Sequence, residues 1–177
     1  MARPLFLLPL LLVSTGPAAA LFVERDGVAV AVPDGGNSTV TGIAISCGDP
    51  VAFEVTARDG PVMPIAAEVE PGDYLYTPGK VLAVVDAVEI PLIAAGSGEA
   101  TVLFADDPAS PGGMGPLTTD FFAALSQGRE LVLRFDITPG DDPETGTSHE
   151  THARFDLEGA GAVLDAVFAQ CGYPTPR

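Results

Sequence analysis

The stretch His149-Glu150-Thr151-His152 is the one that most invites a metal ion, because it sets two imidazoles around a carboxylate. A helical zinc-protease motif places its histidines at i and i+4 on one helical face, with the glutamate as base. Here they are three apart. Thr145-Gly146-Thr147-Ser148 ahead of them favours a loop or a strand entry, and in an extended strand the two rings point to opposite faces. His149 and His152 therefore read as loop histidines and only as weak candidates for a divalent ion. Asp141-Asp142-Pro143-Glu144 offers hard oxygens. Calcium takes about six to eight of them in an alternating ligand loop, and no D-x-[DN]-x-[DN]-G run is present, so Asp141, Asp142 and Glu144 are weak ligands too. No metal or other cofactor is expected.

Nucleophilic chemistry finds equally little to work with. Ser97, in Gly96-Ser97-Gly98, lacks the G-x-S-x-G frame and the following helix of a nucleophile elbow. The Gly-x-Gly steps at 96–98 and 159–161 form no phosphate loop, and Glu158 beside the second would repel an anion. Asp106-Asp107 is undistinctive. Tyr74 and Tyr76 could present one face to a ligand, as could an ordinary packed strand. Any two of the 24 acidic residues could meet as a sugar-hydrolysing pair, which spacing along the chain cannot settle.

The elements that must position these groups begin with a start that reads as an export signal. Met1-Ala2-Arg3-Pro4 precedes an apolar run from Leu5 to Val13, and small residues occupy Ala18 and Ala20. This is the plan of a secretory signal peptide cut after Ala20. The run is shorter than the about 17–25 apolar residues of a membrane span, so no stable span is expected in the mature chain. Residues 21–177 then form a single exported domain, large enough to bury a core unaided. Loss of Arg3 leaves 7 basic against 24 acidic residues, a net charge of −17. That excess excludes nucleic acid and anionic lipid as partners and suits a cationic protein partner, or simply a well-solvated surface.

Two cysteines in an oxidising compartment pair. A strand through Thr41–Cys47 sets Ile43, Ile45 and Cys47 on one face, while Ala160, Val163, Leu164, Val167, Phe168 and Cys171 recur at helical spacing. Both thiols are thus expected to point into the core and to join as Cys47–Cys171. In the chain-entropy picture, closing so long a loop contributes about 5 kcal/mol.

Between them, period-two alternation predicts an antiparallel β protein. Leu21–Val32 reads as a hairpin about Arg25-Asp26-Gly27, followed by a polar break at Pro33–Ser38. Strands follow at Thr39–Cys47 and Val51–Ala57, with Val51, Phe53 and Val55 inward and Glu54 and Thr56 outward. Short or irregular strands such as Tyr74-Leu75-Tyr76 are expected in the Pro/Gly-rich stretch 60–79. Further strands are expected at Lys80–Val85, Val88–Ala94 and Ala100–Ala105, and a loop at Asp106–Pro116. A helix capped by Thr118 or Thr119 carries Phe121, Phe122 and Leu125 inward and ends at Gly128. In Glu130–Ile137 the residues Leu131, Leu133, Phe135 and Ile137 face in, with Arg134 and Asp136 facing out. After a polar loop, Thr151–Leu157 has Ala153, Phe155 and Leu157 on one face, and Gly159 starts the last helix.

From Val81 onward this order, with Leu157, Gly159, Ala162, Leu164 and Cys171 in the final strand and helix, resembles the invasion-associated locus B family and related periplasmic proteins. The resemblance covers residues 81–172. It implies a small exported β domain with a late helix ending in cysteine, and a non-catalytic envelope role. The chain departs from the family in lacking tryptophan and in its Pro-rich middle. The expectation is a mainly β fold, an antiparallel β-sandwich or partly closed barrel with two short helices, the last at the C-terminus. The function expected is periplasmic or secreted binding or structural work. An acidic inhibitor of a cationic envelope enzyme such as a lysozyme, and a small hydrolase with an unrecognised carboxylate site, are the alternatives.

Overall fold

Alternation along the chain is realised as eleven antiparallel strands in a computed structural model, which describes residues 22–58, 81–97, 100–137, 140–141 and 146–174. The signal segment 1–20, the stretch 60–79 with Tyr74 and Tyr76, and the loop residues Asp142 and Glu144 lie outside the described residues. The strands are β1 (Val23–Arg25), β2 (Val28–Ala31), β3 (Gly35–Gly36), β4 (Val40–Ser46), β5 (Ala52–Ala57), β6 (Val81–Val85), β7 (Val88–Ser97), β8 (Ala100–Asp106), β9 (Met114–Gly115), β10 (Glu130–Phe135) and β11 (Thr151–Asp156). Two helices accompany them, α1 (Thr119–Gln127) and α2 (Ala160–Cys171). The order across the sheet is β1-β2-β4-β5-β8-β7-β6-β10-β11-β3, with β9 beside β8.

All the strands belong to one sheet, so the mainly β, antiparallel expectation holds, and the layer packed against the sheet is helical. The sheet is not a closed barrel; its ends are β1 and β3. Yet only residues 37–39 separate β3, at the far end, from β4, third from the other end. At about 3.5 Å per residue that link spans at most ~14 Å, which forces the sheet to curl almost back onto itself.

The concave face is apolar because every second residue is. Ala29, Ile45, Phe53, Leu103, Leu131 and Phe155 project from six strands into one cluster with Phe121, Phe122 and Leu125 of α1 and Leu164, Val167 and Phe168 of α2. Edge-to-face aromatic contacts run through it from Phe53 to Phe121 (5.7 Å), Phe122 (5.4 Å) and Phe168 (5.1 Å), and a tilted one continues to Tyr173 (5.0 Å). Such pairs add about 0.5–1.5 kcal/mol each beyond area burial. Burial beneath this stack raises the phenol pKa of Tyr173.

α1 begins where Thr118 Oγ1 accepts from the Phe121 N–H at 3.2 Å, satisfying one of the helix's orphan donors. It stops at Gly128, whose N–H donates to Ala124 O at 2.8 Å. This glycine is not left-handed, with φ −73°. What the position requires is room, since a Cβ would sit 2.5 Å from Val85 Cγ1 and 3.0 Å from Leu157 Cδ1. Asp86 secures the same corner, its Oδ1 accepting from the N–H groups of Arg129 and Glu130 at 3.1 Å each.

Four expectations need correction. The polar break at Pro33–Ser38 contains β3, because backbone rather than side-chain pattern pairs Gly35 and Gly36 with β11. Asp106–Pro116 is largely the expected loop, but it also holds a 3₁₀ turn at Pro111–Gly113 and the two-residue β9 on the edge of β8. Asp136 does not face out and is 2% exposed: β10 ends at Phe135, so the alternation that would send Asp136 outward has already stopped. The cysteines do pair, with Cα atoms 5.8 Å apart, yet the bridge lies at the rim of the core rather than inside it. Cys47 is half-buried just beyond β4 and Cys171 is exposed, because it is the last residue of α2, where the helix leaves the sheet.

Candidate functional site

The last rung joining β2 to β4 is Ala31–Ile43, and residues 32–39 link these neighbouring antiparallel strands by a long loop that carries β3. Such a loop would ordinarily float. This one is held at its tip and on its return. At the tip, Gly35 and Gly36 pair with Arg154 and Ala153 of β11, and the Asp34 N–H donates to Arg154 O at 2.8 Å. Asn37 and Ser38 both donate their N–H to His152 O, at 3.0 and 3.2 Å. The Asn37 side chain reproduces a strand rung of its own, its Oδ1 accepting from the His152 N–H at 2.8 Å and its Nδ2 donating to Glu150 O at 3.1 Å. On the return, Arg58 N–H donates to Thr39 O at 2.9 Å, and Val40 pairs with Ala57 through a bulge.

Gly36 makes the tip possible. Its φ of 130° is open to glycine almost alone, and a Cβ there would overlap His152 O. Inside the loop lies a cleft of about 350 Å³ lined by Pro33, Asp34, Ser38, Thr39, Thr41 and Arg58 among others. Hydroxyls and backbone form much of its walls beside Asp34 and Arg58, and Ser38 and Thr39 are buried. Thr41 Oγ1 donates to Thr56 Oγ1 at 3.2 Å, which orients one wall. The carboxylate of Asp34 is committed to Arg154, 3.1 Å from Nε, with Glu130 Oε2 at 3.6 Å on the same guanidinium. That hydrogen bond first, then the charge of Asp34 and that of Glu130, raises the Arg154 pKa.

The residues singled out for chemistry are dispersed. His152 lies on β11 with its side chain exposed, and His149 precedes that strand, half-buried. Asp141 is exposed. Among the described residues no group of three or more His, Cys, Asp or Glu side chains is placed to hold a metal ion. Glu150, from the same stretch, instead accepts from the Ile137 N–H at 2.9 Å through Oε2. Asp107 serves its own loop, accepting from Ser110 Oγ at 2.7 Å and the Ala109 N–H at 3.0 Å, and these bonds in that order lower its pKa.

Sequence reasoning missed Gly36, Asn37 and Ser38. The available signal was the length of the break Pro33–Ser38, too long for a two-residue turn between strands that proved to be neighbours.

No protein-family model matches the chain, and no curated protein or solved structure proves similar to it. The resemblance of residues 81–172 to invasion-associated locus B proteins rests on its motif residues alone. Among the described residues, no helix is long and apolar enough to cross a membrane.

Proposed function

We propose that the protein is a non-catalytic binding protein of the bacterial periplasm or exterior, made as a signal peptide of residues 1–20 followed by one exported domain. The cleft inside the β2–β4 loop carries this reading. It is a polar concavity on a scaffold pinned to both β11 and β5, which is how a rigid fold presents a recognition loop. Asp34, the one carboxylate lining it among the described residues, is engaged by Arg154, and the cleft's hydroxyls suit recognition of a small polar molecule better than proton transfer. The Cys47–Cys171 bridge and the leader-like first twenty residues support export. The locus B resemblance points the same way.

The experiment is retention of small molecules by protein purified natively from an exporting host, read by mass spectrometry against Thr41→Trp, which fills the cleft from an exposed position. A polar compound retained by the wild type and lost in the variant, at equal melting temperature, is expected. Equal profiles for the two proteins would end the cleft reading. The mass of the same sample tests export, since chain starting at Leu21 is expected.

The net charge of −16 favours a second reading, an acidic inhibitor that caps a cationic envelope enzyme. Such a complex forms at low salt and weakens steeply as ionic strength rises. A pull-down at two salt concentrations that returns no basic enzyme removes it.

A further inference from the structure

The outer face of β6, β10 and β11 sets two nitrogen donors, a guanidinium and an imidazole, side by side in a chain that has only 8 Lys and Arg residues against 24 acidic ones. Arg134 and His152 are cross-strand partners on β10 and β11, both exposed. Facing side chains in such a pair have Cβ atoms about 4.5–5.5 Å apart. Neither side chain takes part in a hydrogen bond or ion pair among the described residues. The contrast with Arg154, on the same face, is instructive, because there Asp34 and Glu130 supply the counter-charge. Among the described residues, no acid plays that part for Arg134.

Beside the pair the face turns apolar. One rung, read from β7 to β11, runs Pro91, Leu82, Arg134, His152, and the next runs Glu89, Val84, Val132, Arg154. Leu82 and Val132 are half-buried, with Val84 at the floor and Glu89 exposed at the far end. Three inter-strand spacings of about 4.8 Å make this strip ~14 Å wide, the reach of about four extended residues.

We propose that this face docks a short extended segment of a partner protein that carries a carboxylate next to an apolar side chain. The carboxylate lies between the Arg134 guanidinium and the His152 ring, both hydrogen-bond donors to it, and the apolar side chain lies on Leu82 and Val132. Charge selects this occupant. Nucleic acid or an anionic bilayer would meet the Arg134 guanidinium and then the repulsion of a −16 chain. A single carboxylate at Arg134 lies within one Debye length, about 8 Å, of the guanidinium and is screened from the more distant acids. A bare inorganic anion would leave Leu82 and Val132 unused.

The probe is an acetylated, amidated Val-Glu-Leu-Thr peptide, titrated into the full mature chain while the ring resonances of His152 are followed by NMR, with assignment by His152→Gln. Inorganic phosphate and phosphatidylglycerol vesicles are titrated in parallel. The peptide is expected to move the His152 ring resonances saturably. Its affinity should fall about tenfold or more in Arg134→Ala and severalfold in Val132→Thr, with both variants retaining the wild-type unfolding midpoint. A motionless His152 ring, or unchanged affinity in Arg134→Ala, overturns the proposal. So does phosphate or vesicle binding as tight as that of the peptide, which would show a surface reading charge alone.

Discussion

The two ends of β4 are held by different physics. Ser46 leads into Cys47 and a covalent tie to α2, above a core of rings and branched side chains. Val40, about 20 Å away at ~3.3 Å per residue, follows a loop secured by backbone bonds to β11 and β5 and by the Asn37 amide. The first end resists unfolding through burial, which is insensitive to the detailed position of any one polar atom. The second holds its shape through directional bonds around a cleft, and directional bonds are what a recognition surface needs. Stability and presentation are thus assigned to opposite ends of one strand.

The contrast breaks most visibly at the core. Phe122 is fully buried and touches the rings of Phe121, Phe168 and Tyr173. Phe122→Ala is expected to lower stability by about 3–5 kcal/mol, read as a fall in the urea midpoint, while the amide resonances of Asn37 and Ser38 stay in place below the transition. The Cys47→Ser/Cys171→Ser double variant comes next, at about 2–4 kcal/mol. Calorimetry should show the lower melting temperature, and the cleft should again be unmoved. Movement at Asn37 in either variant would mean that the two ends are coupled.

From the other side, Gly36→Ala is expected to cost about 1–3 kcal/mol through strained backbone and overlap with His152 O. Its signature is faster hydrogen exchange at Asn37 and Ser38 with the aromatic core signals unchanged. If the whole molecule loosens together, the division drawn here is wrong.

The smallest effect concerns pH. Asp107 binds its proton less readily in the folded chain than when unfolded, so its bonds to Ser110 and Ala109 favour the folded state above the unfolded pKa. That contribution fades as pH falls through the lowered folded value. NMR titration should place the Asp107 carboxyl below the ordinary aspartate range, and Ser110→Ala should bring it back up. Because Asp107 bonds only within its own loop, neither end of β4 should respond.

What the sequence made legible follows this division. Inner-face residues such as Phe53, Leu133 and Phe155 were readable because burial imposes a period of two on side chains, as were Thr118 and the α1 face, where capping and periodicity agree. The bridge was readable from two separate periodicities, though not its place at the rim, since a helical stripe does not say where the helix leaves the sheet. The cleft was not readable. Gly35, Gly36 and Asn37 act through main-chain groups or an amide imitating them, and such contacts leave no hydropathic pattern. Asp136 failed for a related reason, as alternation predicts a face only while the strand lasts.

Phe53 on β5 meets the ring of Phe121, and Phe122 beside it meets Phe168 on α2, so one aromatic row ties together three elements far apart along the chain. A chain synthesised only as far as α1 cannot complete that nucleus, because Phe168 on α2 is still to come. Contacts so distant along the polymer close slowly.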